Sequence, residues 1–471
     1  MTEPNAPDPR LSVRITAPDR ATAFDIVRRY PFDYGCRPTA LPTDDGVAVP
    51  ALLSPAEIET LRNNGIDVDV RFDIRDRDEG TAPIGDGDRF DGGRRPPQGV
   101  GTAPDGSTDP GPILNVDEIG SAIDGLVNEY GIPTFTLPNG TAEGRPSTGG
   151  QVGDVDPSRY HVYFTAGVHA RERGGPDALL YFIADLLHAN KFGTGITYGA
   201  RTFTNADVHK ALNTGIVFFP LVNPDGVAWD QRTGSLWRKN RNPAGAIPGD
   251  EGSIGVDINR NYDFLWDYRT HFDPSVTGNS ALASDDPRAE TFHGAAPLSE
   301  PETRNATWVF DQFPKLNWYM DIHSAVGDIL YNWGDDDDQV GDEAMRFFDP
   351  RWDGARGVLT ADDYREWLPE ADLGRIRLVA RRTAAAMAAV GGRTFRPIPA
   401  ADLYATSGAS DDYAYSRTWI DPQLSKVHGF TMEFGYPTNF YPTLTEYHQN
   451  LADVGAGLME FCLCAADNPV T

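Results

Sequence analysis

The chain has 471 residues, 23% charged and 40% hydrophobic, with a formal net charge of −28. That length is enough to bury a large core and to divide into more than one domain. The charge excludes a nucleic-acid binder, which needs a basic footprint, and a protein that binds anionic membrane surfaces. Five of the 41 basic residues are Lys, leaving 36 Arg, and 18 of the 69 acidic residues are Glu, leaving 51 Asp. An Asp-heavy, Lys-poor surface of this kind suits a salt-adapted protein, because high salt screens the self-repulsion it would otherwise suffer. No run of 18 or more uncharged apolar residues is present, so no spanning helix is expected. The N-terminus, MTEPNAPDPR, lacks the basic-then-apolar pattern of a secretory leader. A cytoplasmic location is therefore the default expectation. Three cysteines, Cys36, Cys462 and Cys464, make neither a disulfide framework nor a Cys-rich zinc site and read as packed or idle thiols.

Taken in chain order, residues 1–74 predict a small α/β unit. LSVRITA alternates as a strand, ATAFDIVRRY has a helical period, and GVAVPALLS is again strand-like. Ser54-Pro55 opens a second helix that stops at Gly65, and VDVRFDI closes the unit as a strand. Residues 75–112 are rich in Gly, Pro and Asp, have almost no periodicity and read as a linker. A larger domain, 113–471, begins with the helical NVDEIGSAIDGLVNEYG. Within it HVYFTAGVH, TGIVFFPLVN, LNWYMDIHS and HGFTMEFG are continuous apolar runs. Helical stretches such as PDALLYFIADLLHAN and IRLVARRTAAAMAAV separate them. This alternation predicts an α/β fold with a buried, mostly parallel sheet and helices on both faces. Each strand delivers a chemically capable residue near its end: His169, Asn223, His323 and Glu433. In open α/β sheets the site forms beyond the carboxyl ends of the strands.

HARE places His169 and Glu172 three residues apart just after a strand, and His323 closes another strand 151 residues beyond Glu172. Catalytic zinc sites use three such nitrogen and oxygen ligands and leave one position open. Spacing alone does not separate this from structurally satisfied histidines.

The wider pattern is more specific. GVHARE, NPDG (223–226), WRKNR (237–241), VDINRN (256–261), DIHS (321–324), LYATSGASDDYAY (403–415) and TMEFG (431–435) occur in that order. From about residue 113 to 465 the chain resembles the zinc carboxypeptidases of the carboxypeptidase A/B family, in a microbial and, given its charge, haloarchaeal style. The resemblance implies one zinc ion on His169, Glu172 and His323, with Asp257 orienting the first histidine. It implies Glu433 as general base on the zinc-bound water and Arg241 as stabiliser of the oxyanion. Asn259 and Arg260 would clamp the substrate's terminal carboxylate, as a guanidinium does bidentately. Tyr404 would close over the substrate, and Arg171 and Arg238 would assist its binding. Asp411, seven residues after Tyr404, would lie at the base of the side-chain pocket and favour C-terminal Lys or Arg over apolar residues.

The substrate implied is the C-terminus of a peptide or protein. Alternatives on the same fold are an amidohydrolase acting on cell-wall γ-glutamyl peptides or acylated amino acids, and an inactive binding module. The N-terminal unit fits the layout of an inhibitory prosegment as well as that of a permanent accessory domain, and the family resemblance makes secretion an alternative to the cytoplasm. The Asp335–Asp338 run reads as a solvated loop, with a calcium site as the alternative.

Overall fold

A computed structural model describes residues 9–77, 79–102, 109–153, 160–359 and 363–470. The extreme N-terminus (1–8) and residues 103–108 of the Gly/Pro-rich stretch lie outside them.

The first unit runs β1 (Leu11–Ala17), α1 (Arg20–Arg29), β2 (Leu41–Thr43), β3 (Gly46–Leu53), α2 (Pro55–Asn63) and β4 (Asp67–Asp73). Its four strands form an antiparallel sheet in the order β2-β3-β1-β4. Local chemistry explains the helices. The Asp19 carboxylate accepts from Thr22 N to start α1, and Ser54 and Glu57 form a reciprocal capping box that starts α2 with Pro55 at its first position. The buried stripe of α1 is Ala23, Phe24, Ile26 and Val27. Between α1 and β2 the chain leaves the unit as an irregular segment, residues 30–40, which reaches into the larger domain.

The described residues of 75–112 contain no helix or named strand, yet they follow the larger domain closely. Ile84 bridges to Ile113, Ala82 and Phe90 are buried, and the amides of Gly101 and Thr102 donate to the buried Asp185 carboxylate.

The larger domain contains α3 (Val116–Tyr130), β5 (Thr134–Thr136), β6 (Thr148–Val152), β7 (Val162–Ala166), α4 (Gly175–Phe192), β8 (Ile196–Tyr198), β9 (Arg201–Phe203), α5 (Asn205–Leu212) and β10 (Ile216–Phe219). It continues with α6 (Pro224–Thr233), α7 (Tyr268–His271), α8 (Pro301–Gln312), β11 (Trp318–Ser324), β12 (Asp328–Tyr331), β13 (Asp338–Gln339) and β14 (Glu366–Trp367). It ends with α9 (Glu370–Gly391), β15 (Arg396–Pro399), α10 (Ser410–Ile420), β16 (His428–Phe434) and α11 (Leu444–Asp467). Eight strands form one mixed sheet in the order β15-β12-β16-β11-β7-β10-β6-β5. The central strands β16, β11, β7 and β10 are parallel and buried at every position, which is why they read as unbroken apolar runs.

Alternate residues of these strands feed two cores. Val162, Phe164, Ile216, Phe218, Trp318 and Met320 pack with α4 and α11 on one face. Tyr163, Val217, Phe219 and Tyr319 pack with α8 on the other. The sheet is thus clamped between helical layers, and its carboxyl edge is a rigid platform. No helix among the described residues is long and apolar enough to cross a membrane.

One sequence expectation changes here. Asp335 and Asp336 are buried, not solvated: Asp336 accepts from Gly357 N at 2.7 Å, and Asp335 lies within the field of Arg356. The chain between β13 and β14 folds over them, a long-range event that a local run of acids does not announce.

Candidate metal centre and substrate cleft

Three parallel strands converge on one point. His169 follows β7, and His323 lies near the end of β11, opposite Glu433 of β16 in the strand register. Glu172 is one turn beyond His169. His323 Nδ1 lies 3.1 Å from His169 Nδ1 and 2.9 Å from Glu172 Oε2, and His169 Nδ1 lies 2.7 Å from Glu172 Oε1. All three side chains are buried.

This donor set fits zinc. Two ring nitrogens at about 2.0–2.1 Å from one tetrahedral ion stand about 3.3–3.4 Å apart, close to the separation found. The outer nitrogens are also braced. His169 Nε2 lies 3.1 Å from Asp257 Oδ1, and His323 Nε2 lies 3.0 Å from Asp321 Oδ2. The Asp257 carboxylate keeps the proton on His169 Nε2 and leaves its Nδ1 lone pair free for a metal, while Asp321 stands at ion-pair distance from His323 Nε2 without hydrogen-bond geometry. Burial alone would raise the Asp257 carboxyl, but Arg238 and His169 outweigh it and hold it well below the usual carboxylate range. Asp321 was not singled out in the sequence. The signal was present, because residues two apart on a strand share a face and DIHS pairs the acid with the histidine.

Glu433 is buried beside this cluster, and neither of its oxygens has a hydrogen-bond partner among the described residues. Burial, reinforced by Cys36 and Glu172, pushes its carboxyl well above the usual range. An orphaned carboxyl next to two imidazoles is costly unless a cation or a water shares the space.

A cleft of about 600 Å³ opens beside the cluster, with Arg171, Arg238 and Arg260 among its lining residues. Arg238 donates through Nε and Nη2 to Asp257 at 3.0 and 2.9 Å, so its guanidinium is fixed against the support of His169. Arg260 donates to the carbonyls of Leu282, Asn259 and Ala281, and its nearest carboxylate, Asp257, is 4.0 Å away. Burial and the neighbouring Arg238 charge pull it down to about 10, the mark of a guanidinium short of an anion. The Asn259 amide nitrogen beside it has no partner among the described residues, while its oxygen accepts from Ser410 N. Gly408, at φ +67°, lets the loop before α10 press onto this strap, since a Cβ there would lie 2.3 Å from the Arg260 carbonyl oxygen.

Asp411 is fully buried at the start of α10 and accepts from Thr431 Oγ1 at 2.9 Å. Tyr404 is buried too; its hydroxyl donates to the Val276 carbonyl at 3.0 Å, and its ring stacks on Phe24 of α1 at 5.4 Å.

Arg241 is not brought to the centre. Its guanidinium stacks over Trp229 and Trp237, at 3.8 and 4.5 Å from the ring centres, and pairs with Glu251. Of the two arginines in WRKNR it is Arg238, expected to assist substrate binding, that lines the cleft, while Arg241 does not. Two side chains three residues apart in an irregular loop diverge, and spacing cannot tell which turns inward.

The irregular segment of the N-terminal unit forms one wall of the cleft and engages its arginines. Asp33 receives both terminal nitrogens of Arg171 at 2.6 and 2.8 Å, and Arg238 Nη1 donates to the Gly35 carbonyl at 3.2 Å. Arg260 Nη2 reaches the Cys36 carbonyl at 3.4 Å, and Arg37 donates to Asp411 at 2.7 Å. Nothing in the sequence marked these residues. A second cavity, about 640 Å³, is lined by His161, His209, Asn317 and Trp318, at the opposite ends of the strands and away from this chemistry.

Fold and donor set define an α/β protein with a buried cluster of His169, Glu172, His323 and Cys36, able to hold a metal ion, at the carboxyl edge of its sheet. The zinc carboxypeptidase family model matches residues 122–451, and the chain belongs to that family. It is similar to carboxypeptidase B of the crayfish Astacus astacus (27% identity over 46% of this chain and 63% of that one). It is also similar to zinc carboxypeptidase A 1 of Anopheles gambiae (29%, covering 46% and 44%) and to rat carboxypeptidase A2 (26%, covering 64% and 58%). The matches thus span about half to under two thirds of those relatives. Among solved structures the fold matches carboxypeptidase A from Helicoverpa armigera (TM-score 0.65, 18% identity, 98% of each chain). It also matches thrombin-activatable fibrinolysis inhibitor (TM-score 0.62, 17% identity, 98% of this chain and 100% of that one).

Proposed function

We propose that the chain is a zinc-dependent exopeptidase that hydrolyses the C-terminal peptide bond of peptides and proteins, with a preference for C-terminal Lys or Arg. The observation that carries this reading is the anion-deficient pair Arg260 and Asn259 next to the His169–Glu172–His323 cluster. A buried guanidinium bonded only to carbonyl oxygens, beside a side-chain amide nitrogen with no partner among the described residues, suits a carboxylate brought by the substrate.

Held by His169, Glu172 and His323, zinc supplies Lewis acidity and a nucleophilic water. The chain's own residues do the rest. Asn259 and Arg260 fix the terminal carboxylate and so set which bond lies at the centre. Glu433, buried beside the cluster, takes the proton from the attacking water and delivers it to the leaving amine. Arg238 is the cation for the developing oxyanion, in place of Arg241, since its guanidinium already accommodates a backbone carbonyl oxygen there. Asp257 holds the proton on His169 Nε2.

The basic preference rests on Asp411. A guanidinium of the chain itself already sits on that carboxylate, and both side chains are buried. A desolvated pair of this kind discriminates strongly, because an apolar side chain would leave the charge unpaired. The test compares two blocked dipeptides ending in Arg and in Phe, in high salt, with and without a chelator, on protein carrying Cys36→Ser and Arg37→Ala. Chelator-sensitive release of Arg over Phe is expected. Preference for Phe would refute the pocket assignment, and release of neither by zinc-loaded protein would refute the exopeptidase reading.

A further inference from the structure

The segment in the cleft carries a second metal-seeking group. Cys36 Sγ lies 3.6 Å from His169 Nδ1 and 3.7 Å from His323 Nδ1, and its donor atom falls within 4.8 Å of those of both histidines and Glu172. A zinc–sulfur bond of about 2.3 Å and a zinc–nitrogen bond of about 2.0–2.1 Å, set at a tetrahedral angle, hold S and N about 3.5–3.6 Å apart. Both sulfur–nitrogen separations match that edge. On these two edges the sulfur is placed as a fourth ligand would be, at the position a catalytic zinc site leaves open. Cys36 is buried, and Cys462 and Cys464 sit in α11, so it has no thiol partner among the described residues.

A separate observation points the same way. The next residue, Arg37, places Nη2 on Asp411, and its Nε and Nη1 are buried without partners. Its side chain is thus held in a buried pocket by one terminal nitrogen on the Asp411 carboxylate, with no other hydrogen-bond partner among the described residues. On either side of this pair, Asp33 and the carbonyls of Gly35 and Cys36 occupy Arg171, Arg238 and Arg260. Beyond it the chain is tied off by Arg396, which donates to the Ala40 carbonyl at 2.9 Å, and by Asp402, which accepts from Ala40 N at 3.1 Å.

We propose that Cys36 and Arg37 are an internal ligand pair of this site, the sulfur of Cys36 serving as fourth metal ligand and the Arg37 guanidinium filling the basic pocket, so that the full chain is latent. The inference rests on the zinc-site reading above. When the metal–sulfur bond forms, the thiol proton is released to solvent and no electron is transferred. The position needed by the attacking water is then taken, and so are the Arg260 part of the carboxylate clamp and the side-chain pocket.

The test uses the full chain loaded with Co²⁺ in high salt. Wild type should show ligand-field bands and a near-ultraviolet sulfur-to-cobalt charge-transfer band. Cys36→Ser should lose the charge-transfer band and keep the ligand-field bands, while Cys462→Ser with Cys464→Ser should keep both. In zinc-loaded protein, Cys36→Ser with Arg37→Ala should release a C-terminal Arg at least tenfold faster than wild type, since every 1.4 kcal/mol taken from the blocked state is a factor of ten. Cobalt bound without a sulfur band in wild type would overturn the ligand assignment and leave the zinc site standing. Failure of either form to bind cobalt would overturn both. A sulfur band with equal hydrolysis by wild type and the double variant would overturn the latency.

Discussion

The inward turn of Arg238 and the outward turn of Arg241 can be tested against each other, because the two residues lie in one loop and differ in their surroundings. Arg238→Ala removes a buried guanidinium that makes two bonds to Asp257 and one to a backbone carbonyl. If that carbonyl contact mimics the reacting one, the loss is that of an oxyanion donor, about 10²–10³ in kcat, or about 3–4 kcal/mol. Asp257 keeps His169 and the backbone N–H of Asn259, so the support of the metal ligand is weakened rather than lost. Saturating zinc removes the accompanying drop in affinity, expected at about 10–100-fold for a supporting group. Arg241→Ala removes two cation–π contacts and a pair with Glu251, whose side chain is 59% exposed. An exposed pair contributes about 0–1 kcal/mol and each stacking contact about 0.5–1, so the variant should melt slightly earlier with kcat nearly unchanged. The assay is steady-state hydrolysis of a blocked dipeptide ending in Arg, in the Cys36→Ser, Arg37→Ala background, alongside thermal melts. A hundredfold loss in Arg241→Ala with little change in Arg238→Ala would refute the geometric reasoning.

Glu433→Gln should abolish turnover at saturating substrate while leaving zinc stoichiometry, read by metal analysis, at one per chain; near-normal kcat would remove it from the mechanism. His428, buried between Trp318 and Tyr415, is pushed down to about 3, burial prevailing over the nearby Asp372. Its native state stays neutral while the unfolded chain takes up a proton near pH 6.5, so its contribution is complete above that pH and fades as pH falls toward 3. Between pH 7 and 5 the wild type should lose about 2 kcal/mol more stability than His428→Phe in denaturant titrations, and parallel losses would contradict the assignment. Thermal stability of the wild type, with its net charge of −28, should rise steadily as KCl is raised toward the molar range, where screening shortens to about 3 Å, and a flat response would dismiss salt adaptation.

Much of this architecture was legible in the sequence because it rests on local signals. The strands that hold His169, His323 and Glu433 are buried on both faces and so appear as unbroken apolar runs, and their carboxyl ends mark where a site forms. Ser54 and Pro55 announced α2 as its cap and first residue, through chemistry that acts within a few residues. What escaped depends on contacts between distant parts of the chain. Arg238 and Arg241 share a motif, and only the folded loop separates them. The acids at 335 and 336 look solvated until the segment after β13 closes over them. Cys36 is a lone thiol in a loop, with nothing around it that resembles a ligand motif; its partners lie 133 and 287 residues away.

The arrangement at residues 33–37 also has an energetic logic. A cleft built to seize a C-terminal residue keeps buried cations whose bonding within their own domain is incomplete, and such groups destabilise the empty fold. Here each of them has a partner from the N-terminal unit: a carboxylate for Arg171, carbonyl oxygens for Arg238 and Arg260, and a guanidinium for the anionic Asp411. The segment therefore supplies what substrate would supply, and the larger domain can fold with its charges compensated. Removal of that segment leaves the same groups in need of a carboxylate and a basic side chain, so the interactions that stabilise the closed form become the ones that bind substrate. On this account Asp33→Ala, which frees Arg171 but spares Cys36 and Arg37, should lower the melting temperature of the full chain and raise its hydrolysis of C-terminal Arg less than Arg37→Ala does. The order is set by position, because Asp33 holds the edge of the segment while Arg37 sits on Asp411 in the pocket itself. A larger gain from Asp33→Ala than from Arg37→Ala would place the latch at Arg171 instead.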